Sequence, residues 1–392
     1  MQTQAKFKSN IITMRKFSFI LITLLAVQLI VVAQDEDLNN PIISSVPSLT
    51  ISPDARGAGM GDLGVATSPD VNSQFWNPAK YVFAESEAGM SFSFTPWLRQ
   101  LVSDINLTYL SGYWKFNERR ALSASLRYFS LGEIQMRDAQ GEDMGSAYPN
   151  EFAVDVAYSQ KLFENFSAAA ALRMIYSDLN NGFGSTETYP GIAVAADVAM
   201  YYKTPVQLST GDGSFAAGLN LSNIGSKISY DANASSSFIP ANIRLGASFD
   251  YPIDEYQRFS VSADINKLLV PTIDYAKTAE NRDYYNDMSS LQGILSSFGD
   301  APGGAAEELR EIYWSLGAEY VYNNQFSVRA GYFNEDQYKG NRKFFTAGAG
   351  FKLNVFQLDA SYVVSVSQTN PLDKTLRFSL SFDLFGLQNL MK

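Results

Sequence analysis

From Ala88 onward, apolar and polar residues alternate with a period of two, and this alternation runs through most of the chain. Phe152, Val154, Val156 and Tyr158 fall on one side of their segment, and Ala153, Asp155, Ala157 and Ser159 on the other. The same split separates Phe259, Val261, Ala263 and Ile265 from Ser260, Ser262, Asp264 and Asn266. It also separates Leu376, Phe378, Leu380, Phe382 and Leu384 from Arg377, Ser379, Ser381 and Asp383. Successive side chains of a strand point to opposite faces, so each segment reads as a strand with one greasy and one polar face. About fourteen such segments can be counted, near 88–96, 103–116, 119–131, 150–163, 165–179, 189–203, 213–223, 240–251, 256–267, 310–322, 325–335, 342–354, 355–365 and 374–384. A soluble sandwich uses strands of about 5 to 6 residues, whereas a tilted membrane strand needs about 9 to 11. These segments have the longer length, so the pattern predicts an all-β fold: a 14-stranded antiparallel transmembrane β-barrel with lipid outside and polar groups inside.

Connection lengths give an independent check. Tight links at Asn117-Glu118, Glu164-Asn165, Pro252 to Glu255 and Asn323-Asn324 alternate with long ones at 132–149, 180–188, 224–239, 268–309, 336–341 and 366–373. Short turns belong to the periplasm in such barrels, so both termini are expected there and the long connections outside. The link at 204–212 is longer than a periplasmic turn should be. Aromatics gather near strand ends, as with Tyr113, Trp114 and Phe116 or Tyr201 and Tyr202, which suits girdles at the membrane interfaces.

Ahead of the strands the period is lost. Arg15 and Lys16 precede an apolar run from Phe17 to Val32 that is too short and wrongly flanked to span a membrane, so 1–33 reads as a signal peptide cleaved before Gln34, with Met14 as an alternative start. Residues 34–49, with Asp35, Glu36, Asp37, Pro41 and Pro47, read as an extended periplasmic lead-in. Thr50 to Tyr81, TISPDARGAGMGDLGVATSPDVNSQFWNPAKY, places Gly57, Gly59, Gly61 and Gly64 too close together for a stable helix or strand, while Met60, Leu63, Val65, Phe75 and Trp76 need burial. Residues 50–87 are therefore expected to form an N-terminal plug in the lumen of a barrel covering 88–385, with 386–392 as a periplasmic tail. The spacing Gly59-x-Gly61-x-x-Gly64 formally matches a dinucleotide fingerprint, but no apolar strand precedes it and that reading is rejected.

Composition narrows the chemistry. Removing 1–33 takes away Lys6, Lys8, Arg15 and Lys16 and no acid, leaving 26 bases against 40 acids, a net charge of −14 that makes nucleic acid an unsuitable partner. Without cysteine there is no lipobox, disulfide framework or thiolate metal site; without histidine there is no Ser-His catalysis and no imidazole zinc site. Catalytic, cofactor and metal residues are accordingly assigned to none. Asp138 to Gly145 and Thr210 to Gly213 offer oxygen ligands near glycine, yet neither has the ordered spacing of a calcium loop, and polar turn chemistry is the better reading.

The polar face places Arg127, Arg173, Arg244, Arg329, Lys352 and Arg377 in the lumen together with Asp155, Asp197, Asp264, Glu319, Asp359 and Asp383. Charges in a narrow interior are costly unless paired, so mutual pairing is expected, extended to Asp54, Arg56, Asp62 and Asp70 of the plug. In the long connection at 268–309, Met288, Leu291, Ile294, Leu295 and Phe298 fall on one face of a helix before the stop at Gly299 and Pro302. That face either packs over the barrel mouth or docks another protein, and Tyr275, Tyr284 and Tyr285 extend either possibility.

Through RGAGMGDLGVATSPD and WNPAKY the chain resembles the FadL-like outer-membrane barrels, and within them the PorV/PorQ family of the type IX secretion system. The resemblance marks Arg56, Gly57, Gly59, Gly61, Gly64, Trp76, Asn77 and Pro78 as the plug motif, the NPA element falling on Asn77, Pro78 and Ala79. It implies a non-enzymatic subunit of the outer membrane, in contact with its lipid and lipopolysaccharide. Such a subunit binds the C-terminal signal domain of cargo leaving the type IX translocon and delivers it to an attachment complex with a PorU-type sortase. Two other functions remain open. An importer of hydrophobic small molecules needs an apolar pocket beside the plug, and a lipopolysaccharide-modifying barrel needs a nucleophile and base on the rim.

Overall fold

The computed structural model describes residues 40–390 except 100, 101, 103, 139, 180–188, 232–235, 274–284, 286 and 367–371. The signal peptide, residues 34–39 of the lead-in, the connection at 180–188, most of that at 366–373, and Tyr275 and Tyr284 lie outside the described residues.

The described chain begins with short helical pieces: a 3-10 turn Pro47–Thr50, helix α1 (Ala55–Ala58), helix α2 (Ser73–Trp76) and a 3-10 turn Pro78–Phe83. Strands follow: β1 (Ala88–Pro96), β2 (Asn106–Asn117), β3 (Arg120–Ser130), β4 (Ile134–Arg137), β5 (Asp143–Ala147), β6 (Asn150–Phe163), β7 (Phe166–Asp178), β8 (Gly191–Leu208), β9 (Gly211–Gly225), β10 (Asn242–Pro252) and β11 (Gln257–Leu268). After helices α3 (Ser290–Ser296) and α4 (Ala305–Arg310) come β12 (Ile312–Tyr322), β13 (Phe326–Asn334), β14 (Lys343–Leu353), β15 (Phe356–Ser365) and β16 (Leu376–Asp383), then helix α5 (Leu384–Leu390).

All strands but β4 and β5 join one closed antiparallel barrel of fourteen, sealed where β1 meets β16 in the register Gly89↔Asp383 to Phe94↔Phe378. Closure leaves no unpaired sheet edge, which is what a strand fold needs in lipid. The alternation sets the faces as the sequence predicts. Val154, Val156 and Tyr158 are exposed on the outer wall while Asp155 and Ser159 are buried inside; Leu122 and Leu126 face out and Ser123, Ser125 and Arg127 in. Among the described residues no helix is long and apolar enough to cross a membrane.

At four places the structure adds to the sequence reading or departs from it. The link at 204–212 is not a long turn, because β8 continues to Leu208 and pairs through Pro205↔Ser214 and Leu208↔Gly211. Proline interrupts a strand pattern on paper, yet near a strand end it needs to lose only one ladder bond. The connection at 132–149 contains the β4–β5 hairpin, whose short, Gly- and Asp-containing strands carry little β signal. The tail forms α5, begun by the Asp383 carboxylate, which accepts from the backbone N–H of Phe385 at 3.1 Å and of Gly386 at 3.0 Å. Residues 40–49 are not a lead-in at the tight-turn end. They lie at the long-connection end, where the Asn40 N–H donates to the Tyr338 carbonyl at 2.9 Å and the Ser45 N–H to that of Phe238 at 2.9 Å. Val46 and Leu49 are buried with Ile175, Ala193, Ile228 and Ile239, and this apolar pair outweighs the acids and prolines that made the segment look solvated. The described N-terminal end and α5 therefore sit at opposite ends of the barrel, not together.

Candidate functional site: a filled lumen and the face above it

The plug is built from its glycines and one tryptophan. Asp54 caps α1 by accepting from the Gly57 N–H at 2.8 Å and also takes the Trp76 Nε1–H at 2.6 Å, which draws the indole across the helix. A Cβ on Gly57 or Gly64 would stand 2.5 Å from that ring. Gly61 has a φ of +85° and lies against the Tyr332 backbone, and Gly59 lies against Gly348. The close spacing of glycines thus permits a single helical turn, which the sequence reading excluded, and Gly57 and Gly64 lack the side chains that would collide with Trp76. The wall answers with glycines of its own: a Cβ on Gly331 would be 2.0 Å from the Met60 carbonyl carbon, and one on Gly218 2.5 Å from the Val65 oxygen. Glycine inside a strand is the signal for such a close approach.

Charges then fasten plug to wall. Arg56 donates through Nε and Nη2 to Glu319 at 3.1 and 2.8 Å and through Nη1 to Asp70 at 2.8 Å. Arg329 donates to Glu319 at 2.6 Å and to Asp359 at 2.6 Å, completing a buried run of alternating sign. Asp264 accepts from the N–H of Gly64 at 2.8 Å and of Val65 at 3.1 Å, and Lys80, wholly buried, donates to the Gly64 carbonyl at 2.7 Å. Asn77 accepts from the Ala79 N–H at 3.0 Å while donating to Val65 at 3.0 Å and, across to β8, to the Met200 carbonyl at 2.9 Å. Pro78 opens the next turn, and its carbonyl accepts from Ser159 at 2.8 Å. Arg173 pairs with Asp197 at 2.8 Å and Asp155 at 3.6 Å.

Pairing is not universal. Among the described residues Arg127 and Arg244 have no carboxylate at ion-pair distance; their guanidiniums lie over the Phe75 ring at 4.9 and 4.6 Å, and Arg127 donates to the carbonyls of Ser48 and Ile51. Ring faces and carbonyls stand in for the expected acids. Beside Phe75 a void of about 10 Å³, lined by Tyr109, Ser125, Arg127, Asp155 and Arg173, has room for about one water.

Above the plug, in the connection between β11 and β12, α3 is capped by Ser289, which accepts from the Gln292 N–H at 3.3 Å. Gly293 seats the helix against Phe238 and Pro271, where a Cβ would be 2.5 and 3.1 Å away. Met288 and Ser297 are buried on that side, Ile294 is half-buried, and Leu291, Leu295 and Phe298 are 64, 68 and 56% exposed. The structure therefore splits the predicted apolar face: Met288 precedes the N-cap, so helical spacing does not govern where its side chain goes. Tyr285 anchors the approach by donating to the Thr272 carbonyl.

An ion network that the sequence reading missed holds α4 over the mouth. Lys267 pairs with Glu308 at 3.0 Å and with Glu311, and Lys339 pairs with Glu307 at 2.5 Å and Glu311 at 3.0 Å. The acids at 307, 308 and 311 are the only sequence trace of it, since both lysines come from elsewhere in the chain. Burial works against ionising Glu307, but Lys339 prevails and holds it below the usual carboxylate range. Asp300 goes the other way: burial, with Glu308 and Glu311 nearby, pushes it up to about 7 although it accepts from the Thr272 N–H. Next to the plug's first turn a cavity of about 520 Å³ opens among Ile51, Trp97, Phe129, Leu131 and Arg342.

A family model described as type IX secretion system protein PorV matches residues 33–275. No curated protein matches the chain. Among solved structures, the toluene transporter TodX of Pseudomonas putida is similar with a TM-score of 0.50 and 11% identity, over 83% of this chain and 96% of that one. The Ralstonia pickettii toluene transporter TbuX is similar with a TM-score of 0.45 and 12% identity, over 86% and 97%. At the identity of TodX the likeness speaks for the fold alone.

Proposed function

Because the chain belongs to the PorV family of type IX secretion system proteins and forms an outer-membrane barrel, we propose that it works by binding other proteins, not by catalysis or free conduction. Its long connections face the cell exterior. There it takes the C-terminal signal domain of cargo leaving the translocon and passes that cargo to a surface attachment complex with a PorU-type sortase. The observation that carries this reading is the exposed pair Leu291 and Leu295 on α3, with the exposed Phe298 just past its C-cap, above a plugged lumen. Apolar side chains held out in water mark a surface that another molecule covers. The plug, fixed through Arg56, Gly57, Gly59, Gly61, Gly64, Trp76, Asn77 and Pro78, supports a barrel that serves as a rigid mount.

In a deletion strain, cargo is expected to remain unprocessed or retained while outer-membrane composition stays near normal. The double substitution Leu291→Asp with Leu295→Asp should weaken cargo or partner capture at unchanged barrel abundance. A collapse in abundance would show instead that the helix is only a lid. One observation favours a second reading, the binding of a hydrophobic small molecule: the apolar cavity beside the plug, bounded by Trp97, Phe129 and Leu131. Normal cargo anchoring in the deletion strain, together with lost uptake of a hydrophobic compound, would put that reading first.

A further inference from the structure

Two neighbouring rungs of the wall meet at the small void beside Phe75. Tyr109, Arg127 and Ala153 are cross-strand partners on β2, β3 and β6, and Ser125, Asp155 and Arg173 are partners on β3, β6 and β7, in the next lumen-facing rung. All six line the void, whose volume of about 10 Å³ remains open because the residue beside Arg127 is as small as Ala153. Arg127 and Tyr109 are 4 and 2% exposed, and among the described residues neither Arg127 Nη2 nor the Tyr109 hydroxyl has a hydrogen-bond partner. Arg127 Nη1 is committed to the carbonyls of Ser48 and Ile51 beside the plug's first turn. Across the void, Asp155 accepts from Ser125 at 2.7 Å and from Gln74, and it stands 3.6 Å from Arg173, which is closed on Asp197 at 2.8 Å. A carboxylate offers about four lone-pair sites, so Asp155 can accept once more. Charge balances only when both rungs are taken together. Arg127 is the surplus cation on one side, and Asp155 with Asp197 around Arg173 leaves a surplus anion on the other.

We propose that one water molecule is bound in this void, accepting from Arg127 Nη2 and the Tyr109 hydroxyl and donating to Asp155. It would join Arg127, and through it the turn at Ser48 and Ile51, to the Arg173 cluster as one water-bridged ion pair. The lining selects this ligand. A small anion would lie against the Asp155 carboxylate and a metal cation against two guanidiniums, whereas water both accepts and donates. Its three partners and the void's volume are those of an ordinary buried water, which takes two to four polar contacts and needs about 10 to 15 Å³. A dry void would leave a buried guanidinium N–H and a phenol O–H unsatisfied, which folded proteins avoid.

Crystals of the native protein, diffracting far enough to show ordered water, should hold a single peak in the void within hydrogen-bond distance of Arg127 Nη2, the Tyr109 hydroxyl and Asp155. Crystals grown in bromide should give no anomalous signal there. A void without density, or one that takes bromide, overturns the proposal. In solution the bridge should make Asp155 felt at the turn of Ser48 and Ile51, to which it makes no hydrogen bond of its own among the described residues. Asp155→Asn should speed exchange of the Leu49 and Ile51 amides, which donate to the carbonyls of Val46 and Ser48 at 3.1 Å each. The expected factor is roughly tenfold, the size of one hydrogen bond to a charged group. In an Arg127→Met background the same substitution should have no further effect. Unchanged exchange in Asp155→Asn, or an effect that persists undiminished beside Arg127→Met and so travels through Gln74, would count against the bridge. If a variant fails to fold, the native crystals still decide.

Discussion

Replacing Glu319 by Gln isolates what fastens the plug to the wall. The carboxylate accepts three charge-assisted bonds, two from Arg56 at 3.1 and 2.8 Å and one from Arg329 at 2.6 Å, and it is buried between the two guanidiniums. Glutamine keeps the shape but removes the negative charge and turns an N–H₂ toward one of the arginines. Breaking a buried pair from one side costs about 3 to 5 kcal/mol, because the remaining charge stays buried. Here Asp70 at 2.8 Å still neutralises Arg56 and Asp359 at 2.6 Å still neutralises Arg329, which points to the lower end, about 3 kcal/mol. Hydrogen exchange of the plug amides of Gly57, Gly64 and Val65 reads this directly, and about 3 kcal/mol corresponds to roughly a hundredfold faster exchange. Amides of β6, away from the network, should change little. Combining Glu319→Gln with Arg56→Met should cost less than the sum of the two, as contacting members of one network do. Unchanged plug exchange in the single variant, or strict additivity in the pair, would refute the network as the fastening.

Three other outcomes follow from the same structure. Gly331→Ala should lower stability by about 1 to 3 kcal/mol and raise conductance in planar bilayers by disturbing the plug, because its Cβ collides with Met60 backbone, whereas Gly299→Ala, with nothing within 4 Å, should be silent in both assays. Val156→Arg, on the exposed face midway along β6, should cost about 2 to 4 kcal/mol in a folding titration, while Ser381→Arg, on the lumen face where Ser381 bonds Ser91 at 3.0 Å, should depend on local room; equal tolerance would reverse the assigned faces. Asp300, raised to about 7, keeps its proton in the fold where the unfolded chain would release it, so its contribution is present at acid pH and is lost as pH rises to about 7; intrinsic-rate-corrected exchange of α3 and α4 should quicken from about pH 5 to 8, and Asp300→Asn should flatten that profile.

The wall was legible in the sequence because its cause is local. A strand with lipid on one side and a polar lumen on the other must alternate, and no distant residue has to be known to see it. What the lumen does with its polar groups was not legible. Arg56 and Glu319 are 263 positions apart, and only closure of the barrel makes them neighbours. Alternation assigned Arg127 and Arg244 to the interior correctly but could not supply Phe75 as their partner, since the plug has no period from which its side-chain directions can be read. The plug glycines announced tight packing, yet that the tight object is Trp76 follows from Asp54 holding the indole Nε1–H, a contact across 22 positions of irregular chain.

The helix above the mouth shows where a periodic signal is read in the wrong direction. Grouping Leu291, Ile294 and Leu295 by helical spacing is sound, Phe298 lying past the C-cap Ser297, and for a surface helix the usual step is to turn the apolar stripe toward the protein. Here the seat is made by Phe238 and Pro271, bulky groups already in place that admit only a backbone-sized neighbour, and Gly293 supplies it. The small side of the helix goes down, which leaves the large side out. Amphipathicity fixed the line dividing the two faces but not which face is seated, because that depends on the size of the partner surface. Since the outward side is the apolar one and no described residue covers it, this is the physical ground on which a partner is proposed for the face.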